Sequence, residues 1–382
     1  MADPAVTDDE ISSFISPIED VIEEARNGRM YILVDAEDRE NEGDLIIPAQ
    51  MATPEAVNFM AKFGRGLICL SMTSERAREL DLEMMSGNNQ SRHQTAFTVS
   101  IEAREGVSTG ISAHDRSHTI SVAIDPTKGA QDIATPGHVF PLVAKDGGVL
   151  VRAGHTEAAV DISRLAGLHP AGVICEIMND DGSMARMPDL IKFSQQHGLK
   201  VGTIADLIAY RMRHDHLIQR VAEAPFPTSF GSDFRMVVFA NMADYAEHVV
   251  LVKGDITPDE PVLVRMHAVK IMEDILGFQG KRTDIISQSL RAIDDQGKGV
   301  LVLIRDTGKT AVSERLKAAD DQGSGGQVPL REYGVGAQIL LDLGVREMVL
   351  LSNSAKKTII GLEGYGLKVV GQRPIGEVSD GS

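Results

Sequence analysis

Asp38-Arg39-Glu40-Asn41-Glu42-Gly43-Asp44 sets four carboxylates on alternate positions, directly after the apolar run Met30-Tyr31-Ile32-Leu33-Val34. Successive side chains of a strand point to opposite faces, so an extended backbone would turn all four acids the same way. Like charges on one face repel unless a cation sits among them. A buried strand that ends in several oxygen ligands suits a hard divalent ion such as Mg²⁺. The same run would also serve as a solvated acidic turn, and the rest of the chain has to decide between the two.

The chain has 382 residues and a formal net charge of −17, with 43% hydrophobic residues. That length predicts two domains of ordinary size with real cores. The acidic balance and the absence of tryptophan argue against nucleic-acid binding, which needs a basic face and stacking platforms. Local Arg, Lys and backbone N–H groups can still hold a small anion. The two cysteines, Cys69 and Cys175, read as small core residues; they form no CxxC pair and fit a reducing compartment. No apolar run reaches the length of a membrane span. The acidic N-terminus lacks the apolar segment of a signal peptide, so a cytoplasmic protein is expected.

Residues 1–15 read as a loose tail. Ser16-Pro17 then predicts a helix start, with Ile18, Val21, Ile22 and Ala25 as its buried stripe. Thr53-Pro54-Glu55 repeats that start. Strands are expected at 30–34, 66–71, 96–101, 121–124, 149–151, 172–177 and 199–204. Helices are expected at 73–80, after a Thr156 cap, and from about 188 and 205. Residues 125–148, rich in Pro and Gly, read as loop, and Leu217 to Gly231 as a junction. Farther on, strands are expected at 236–239, 247–252, 261–267, 299–304, 347–351 and 367–370, with helices near 284–294 and 335–343 and a flexible loop at 320–327. Interleaved strands and helices with some strands adjacent in sequence predict an α/β (α+β) class. The N-terminal part is then a mixed β-sheet flanked by helices, followed by a second α/β domain.

Four motifs in order carry a resemblance: Asp38 to Asp44, Pro136-Gly137-His138-Val139-Phe140-Pro141, Arg152-Ala153-Gly154-His155-Thr156-Glu157, and Cys175-Glu176. Together they resemble 3,4-dihydroxy-2-butanone 4-phosphate synthase of riboflavin biosynthesis, from about residue 16 to 212. The resemblance implies conversion of ribulose 5-phosphate to 3,4-dihydroxy-2-butanone 4-phosphate and formate, with Mg²⁺ or Mn²⁺. It implies Glu40 and His155 as metal ligands. Substrate contacts are implied for Arg39, Glu40, Asp44, Thr109, Arg152, Ala153, Gly154, His155, Thr156 and Glu176, and acid–base roles for His138 and Glu176. A homodimer with sites near the subunit interface is also implied. The chemistry needs positioned acids and bases to move protons beside a carbonyl, and a divalent ion to stabilise negative charge on adjacent oxygens. Taken alone, His138 would suit a packed turn, His155 a neighbour of a helix cap, and Glu176 a partner in an ion pair. His197, His214 and His216 read as solvated.

The C-terminal region resembles GTP cyclohydrolase II, through Glu247 to Asp255, Pro261 to His267, Tyr333 to Leu340 and Leu350 to Asn353. In that family three zinc-binding cysteines follow the histidine matched by His267; here the positions hold Lys270, Lys281 and Thr283. None can replace a thiolate. The family's Gln-Glu-Gly-Arg-Gly-Ile-Gly run appears as Asp306 to Val312. The expectation is a domain spanning 215–382 with the fold but neither Zn²⁺ nor activity, behind a synthase domain at 16–214. A bifunctional enzyme that also hydrolyses GTP, and a non-catalytic pathway regulator or assembly subunit, remain alternatives.

Overall fold

The computed structural model describes residues 14–36, 39–87, 89, 95–243, 245–278, 284–305, 312–313, 316, 330–353 and 366–375. The chain divides into two compact units, Met1–Arg211 and Met212–Ser382, each built on its own seven-stranded sheet. Most of the tail, Asp38, Lys281, Thr283, residues 306–311 and the 320–327 loop lie outside the described residues.

In the first unit, helix α1 (Ile18–Arg26) leads into β1 (Tyr31–Val34) and β2 (Gly43–Pro48). Next come α2 (Pro54–Phe59), β3 (Cys69–Met72), α3 (Ser74–Glu79), β4 (Ile101–Ala103), α4 (Ala113–Ile124) and β5 (Ile133–Val143). Then follow α5 (His155–Leu165), β6 (Ala171–Glu176), α6 (Met187–His197), β7 (Val201–Thr203) and α7 (Ile204–His214). The sheet runs β4-β5-β3-β6-β2-β1-β7. It is mixed: β1 is antiparallel to β2 and parallel to β7, and β3 is parallel to β5 but antiparallel to β6.

Both faces of the sheet's middle are covered, which is why β1, β2, β3 and β6 are buried at nearly every position. Ile32, Leu45, Leu70 and Val173 pack toward Val57 of α2 and Ile120 of α4. Tyr31, Leu33, Ile46 and Ile174 pack toward Val21 of α1 and Ile162 of α5. Alternation along β2 and β6 therefore sends Asp44 and Glu176 to the face that α5 covers. The two acids are direct cross-strand partners.

The second unit comprises β8 (Ile218–Pro225), β9 (Arg235–Asn241), β10 (Ala246–Lys253), β11 (Val262–Val269), α8 (Ile285–Gln296), β12 (Gly299–Arg305), α9 (Leu330–Asp342), β13 (Glu347–Leu351) and β14 (Lys368–Arg373). Its sheet order is β14-β13-β11-β12-β10-β9-β8. Val250, Val264 and Val302 pack with α9, and Leu251, Leu263 and Leu301 with α8.

Several local expectations are corrected. Residues 121–124 end a helix: Ser112 caps it by accepting from the Asp115 N–H, and Thr119, Ile120 and Ala123 are buried at helical spacing. The Pro-rich stretch contains β5: Pro136 falls where the ladder with β4 is interrupted, while Pro141 stays in register with Leu70 of β3. Residues 148–150 form a 3-10 turn entered through Gly147 and Gly148, both with positive φ. Gly154 occupies the N-cap of α5, and Thr156 lies in its first turn. The supposed junction holds β8, antiparallel to β9. Pro17, without a side-chain cap, precedes α1. His197 is half-buried rather than fully solvated: its ring centroid lies 4.5–5.0 Å from those of Phe59, Phe63 and Phe193.

Candidate active site

The acidic run is not extended. Arg39 and Glu40 form a turn, and Asn41 has φ +54°, a left-handed conformation that asparagine tolerates. The carboxylates are gathered by the turn and by strand parity rather than by one straight strand. Asp35, just past β1, organises the loop. Its Oδ2 accepts from Arg39 Nη1 (2.7 Å) and the Glu40 N–H (3.1 Å), and its Oδ1 accepts from the Glu42 N–H (2.8 Å). Arg186, at the N-cap of α6, secures the other side by donating to the carbonyls of Glu40 (2.9 Å) and Asn41.

The turn carries Glu40 toward His155, the first residue of α5. Their Oε2 and Nδ1 atoms stand 4.0 Å apart, and His155 Nδ1 stands 3.7 Å from Asp44 Oδ1. The other ring nitrogen, Nε2, lies 3.2 Å from the Leu33 carbonyl oxygen. A bond there fixes the proton on Nε2 and aims the Nδ1 lone pair at the acids. Asp35, Glu40 and His155 offer ligand atoms within 4.8 Å of one another. Since three hydrogen bonds already hold both oxygens of Asp35, it acts as the clamp of the group, while Glu40, Asp44 and His155 face one another.

Burial dominates the electrostatics. Asp44 is 3% exposed, and its Oδ1 has no hydrogen-bond partner. Desolvation, then repulsion from Glu176, Glu42, Glu40 and Asp35, pushes its carboxyl well above the ordinary range. Burial, reinforced by Glu40, raises Glu42 as well. Burial lowers His155 despite the pull of Asp35 and Glu40, which favours the neutral ring that ligates metal. An orphaned buried oxygen among crowded carboxylates and one neutral imidazole is the donor set that a Mg²⁺ or Mn²⁺ ion fits. The thiols of Cys69 and Cys175 are pushed up by burial and stay protonated.

Glu176 borders this group. Its Oε2 accepts from the Leu67 N–H at 2.8 Å. Gly66 permits that approach, since a Cβ there would lie 2.5 Å from the same oxygen. Arg152 donates to Glu157 Oε2 (2.6 Å) and to Thr95 Oγ1 (3.2 Å), bracing the Arg152–Thr156 turn at the α5 N-terminus. His138 and Thr109 belong to a second group, on β5 and the loop before α4. His138 Nδ1 lies 2.9 Å from Glu102 Oε2, and Gly110, next to Thr109, closes over Glu102. Sequence reading missed Asp35, Glu102 and Arg186. Asp35 follows the last apolar residue of β1 and had a signal; Glu102 and Arg186 are brought in only by tertiary pairing.

In the second unit His267 is buried and both its ring nitrogens are engaged. Nε2 donates to Asp274 Oδ2 (2.8 Å), and Nδ1 accepts from Arg265 Nη2 (3.2 Å). Asp274 Oδ2 also accepts from the Lys270 N–H (2.7 Å). Both cysteines of the chain lie in the first unit. No helix among the described residues is long and apolar enough to cross a membrane.

Comparison with known proteins matches residues 19–210 to the family described as 3,4-dihydroxy-2-butanone 4-phosphate synthase and residues 219–374 to GTP cyclohydrolase II. The chain is 50% identical over 376 residues to the riboflavin biosynthesis protein RibBA of Aquifex aeolicus, covering 94% of this chain and 92% of that one. It is 46% identical over 359 residues to the 3,4-dihydroxy-2-butanone 4-phosphate synthase of Neisseria meningitidis serogroup B, covering 94% and 98%. Among solved structures it is similar to RibBX, a two domain 3,4-dihydroxy-2-butanone 4-phosphate synthase from A. baumannii, at TM-score 0.78 and 40% identity over 94% of this chain and 99% of that one. A 3,4-dihydroxy-2-butanone 4-phosphate synthase in complex with two magnesium ions matches at TM-score 0.51 and 41% identity, over 53% of this chain and 99% of that one.

Proposed function

The chain belongs to the 3,4-dihydroxy-2-butanone 4-phosphate synthase family, and from that premise we infer that it converts D-ribulose 5-phosphate to L-3,4-dihydroxy-2-butanone 4-phosphate and formate, at the site built on Glu40, Asp44 and His155. The observation that carries the assignment to this site is Asp44: a buried carboxylate with an orphaned oxygen, facing Glu40 and a neutral His155, calls for a cation. The synthase domain is proposed to span 16–214 and the cyclohydrolase II-like domain 215–382.

The two products together contain every atom of the substrate, so the chemistry is proton transfer and carbon-skeleton rearrangement, with no net oxidation. Glu40 and His155 would hold the divalent ion, Mg²⁺ or Mn²⁺. When bound, that ion supplies Lewis-acid stabilisation of negative charge on adjacent substrate oxygens. Glu176 and His138 are the acid–base groups that take and return protons beside the carbonyl. Asp44 accepts from a sugar hydroxyl. Arg39, Arg152 and Thr109 supply positive charge and hydroxyl donors to an anionic substrate. The turn through Ala153, Gly154, His155 and Thr156 presents backbone N–H groups at the α5 N-terminus, a place that favours phosphate. The working unit is proposed to be a homodimer.

The second domain is proposed to keep the cyclohydrolase II fold without the activity. It contains no cysteine, and Asp274 and Arg265 occupy the ring of His267, so a tetrahedral thiolate–zinc site has no donors there. The Neisseria relative and RibBX are named as synthases, in keeping with this reading, whereas the Aquifex relative bears the name RibBA. The test is to supply purified full-length protein with ribulose 5-phosphate and Mg²⁺, then with GTP. Formate release that chelation abolishes, with GTP intact and no stoichiometric zinc, is expected. Absence of formate with Mg²⁺ present would overturn the lyase reading. Zinc near one per chain with GTP ring opening would overturn the loss of the second activity.

A further inference from the structure

β4 and β5 pair Ile101 with Val139, yet the next residue of β4, Glu102, pairs with Ala134. Thr135, Pro136, Gly137 and His138 are therefore looped out of β5 opposite a single step of β4. Gly137 is required at the crossing, because a Cβ there would lie 2.1 Å from the Ile101 carbonyl oxygen. Its N–H donates to Ser100 Oγ at 3.1 Å. The bulge ends on His138 and sets its Nδ1 2.9 Å from Glu102 Oε2.

Glu102 is itself confined from the other side. Its side chain is 15% exposed, against 43% for His138. Gly110, with φ +86°, lies so close that a Cβ would fall 1.6 Å from Glu102 Oε1. Asp115 holds that glycine in place. It accepts from the Ser108 N–H (3.1 Å), the Ser108 hydroxyl (2.8 Å) and the Gly110 N–H (3.0 Å). A carboxylate fixed between two loops thus meets a histidine whose remaining edge faces solvent.

We propose that Glu102 is a positioning residue for His138, accepting the Nδ1 proton so that the ring presents the lone pair of Nε2 as the atom that exchanges protons with substrate. An ionised carboxylate only accepts hydrogen bonds, so the imidazole proton at this contact sits on Nδ1. The neutral ring then has one basic nitrogen, Nε2, and its orientation is set by the bond made at the other nitrogen. The inference rests on the reading of His138 as an acid–base group of the synthase.

The experiment pairs turnover with a readout that does not need turnover. Nitrogen-15 NMR of histidine-labelled full-length protein, with His138 assigned by loss of its signals in His138→Ala, is expected to show the Nδ1–H tautomer in the wild type. Glu102→Gln, which keeps the shape but can donate as well as accept, is expected to give a mixture of tautomers. Its kcat for formate release is expected to fall roughly 10- to 100-fold with KM nearly unchanged. In a His138→Ala background, Glu102→Gln is expected to cost little more, because groups acting as one unit are not additive. An Nε2–H tautomer in the wild type, or fully additive losses, would overturn the inference. If no formate forms at all, the synthase reading fails while the tautomer still decides the Glu102–His138 contact.

Discussion

At Asp44 a side chain that water would solvate is shut between β1, β6 and α5, with one oxygen unpartnered and Glu176, Glu42, Glu40 and Asp35 all raising its carboxyl. Such an arrangement is unfavourable until a cation or a donor enters it. Asp35 performs the opposite task, since three donors quench it. Replacing Asp35 by Asn would leave Arg39 with Glu40 as its remaining carboxylate partner and give the turn two N–H groups with a poorer acceptor. We expect Asp35→Asn to destabilise the protein by about 2 to 3 kcal/mol in chemical unfolding. It should also weaken Mg²⁺ binding roughly 10- to 100-fold by calorimetry, as loss of a ligand-orienting contact does. Wild-type values for both would remove Asp35 from its role.

At the scale of elements, the strands and helices that could be read were those with an uninterrupted period. The α1 stripe, the strands at β1 and β6 and the Thr53 cap follow directly from Ile18, Val21, Ile22 and Ala25, from the apolar runs, and from Thr53-Pro54. β5 was hidden because Pro136 and Gly137, ordinarily loop residues, sit in a bulge within a strand. The end of α4 resembled a strand because Ile120, Val122 and Ile124 also fit a period of two. Glu40 and His155 were legible from motif resemblance alone; Glu102 and Arg186 were not, since their partners are distant in sequence. In the second unit, β10 offers a test of buried charge. His248 is 3% exposed, and burial, reinforced by nearby Arg305, pushes its imidazole down to about 4. Unfolding frees the ring to titrate near its ordinary value, so between about pH 6.5 and 4 the unfolded chain binds the extra proton. Its contribution is therefore complete above pH 6.5 and is lost as pH falls toward 4, by about 3 kcal/mol at most. His248 Nδ1 accepts from the Arg305 N–H. His248→Asn keeps an acceptor, and chemical unfolding of that variant should show a flatter pH dependence in this window. An unchanged slope would contradict it.

For the whole molecule, one chain carries two units of similar construction and different chemical endowment. The first brings together carboxylates and an imidazole from β1, β2, β6 and α5, and the second seals His267 between Asp274 and Arg265. The central claim is that Glu40 and His155, 115 residues apart in sequence, jointly hold one divalent ion. Titration of the wild type, Glu40→Gln and His155→Ala with Mn²⁺, followed by electron paramagnetic resonance of the unbound ion, tests it without recourse to turnover. Saturable binding by the wild type is expected, competed by Mg²⁺ and weakened at least about 100-fold in each variant. Binding by both variants with wild-type affinity and stoichiometry would contradict it.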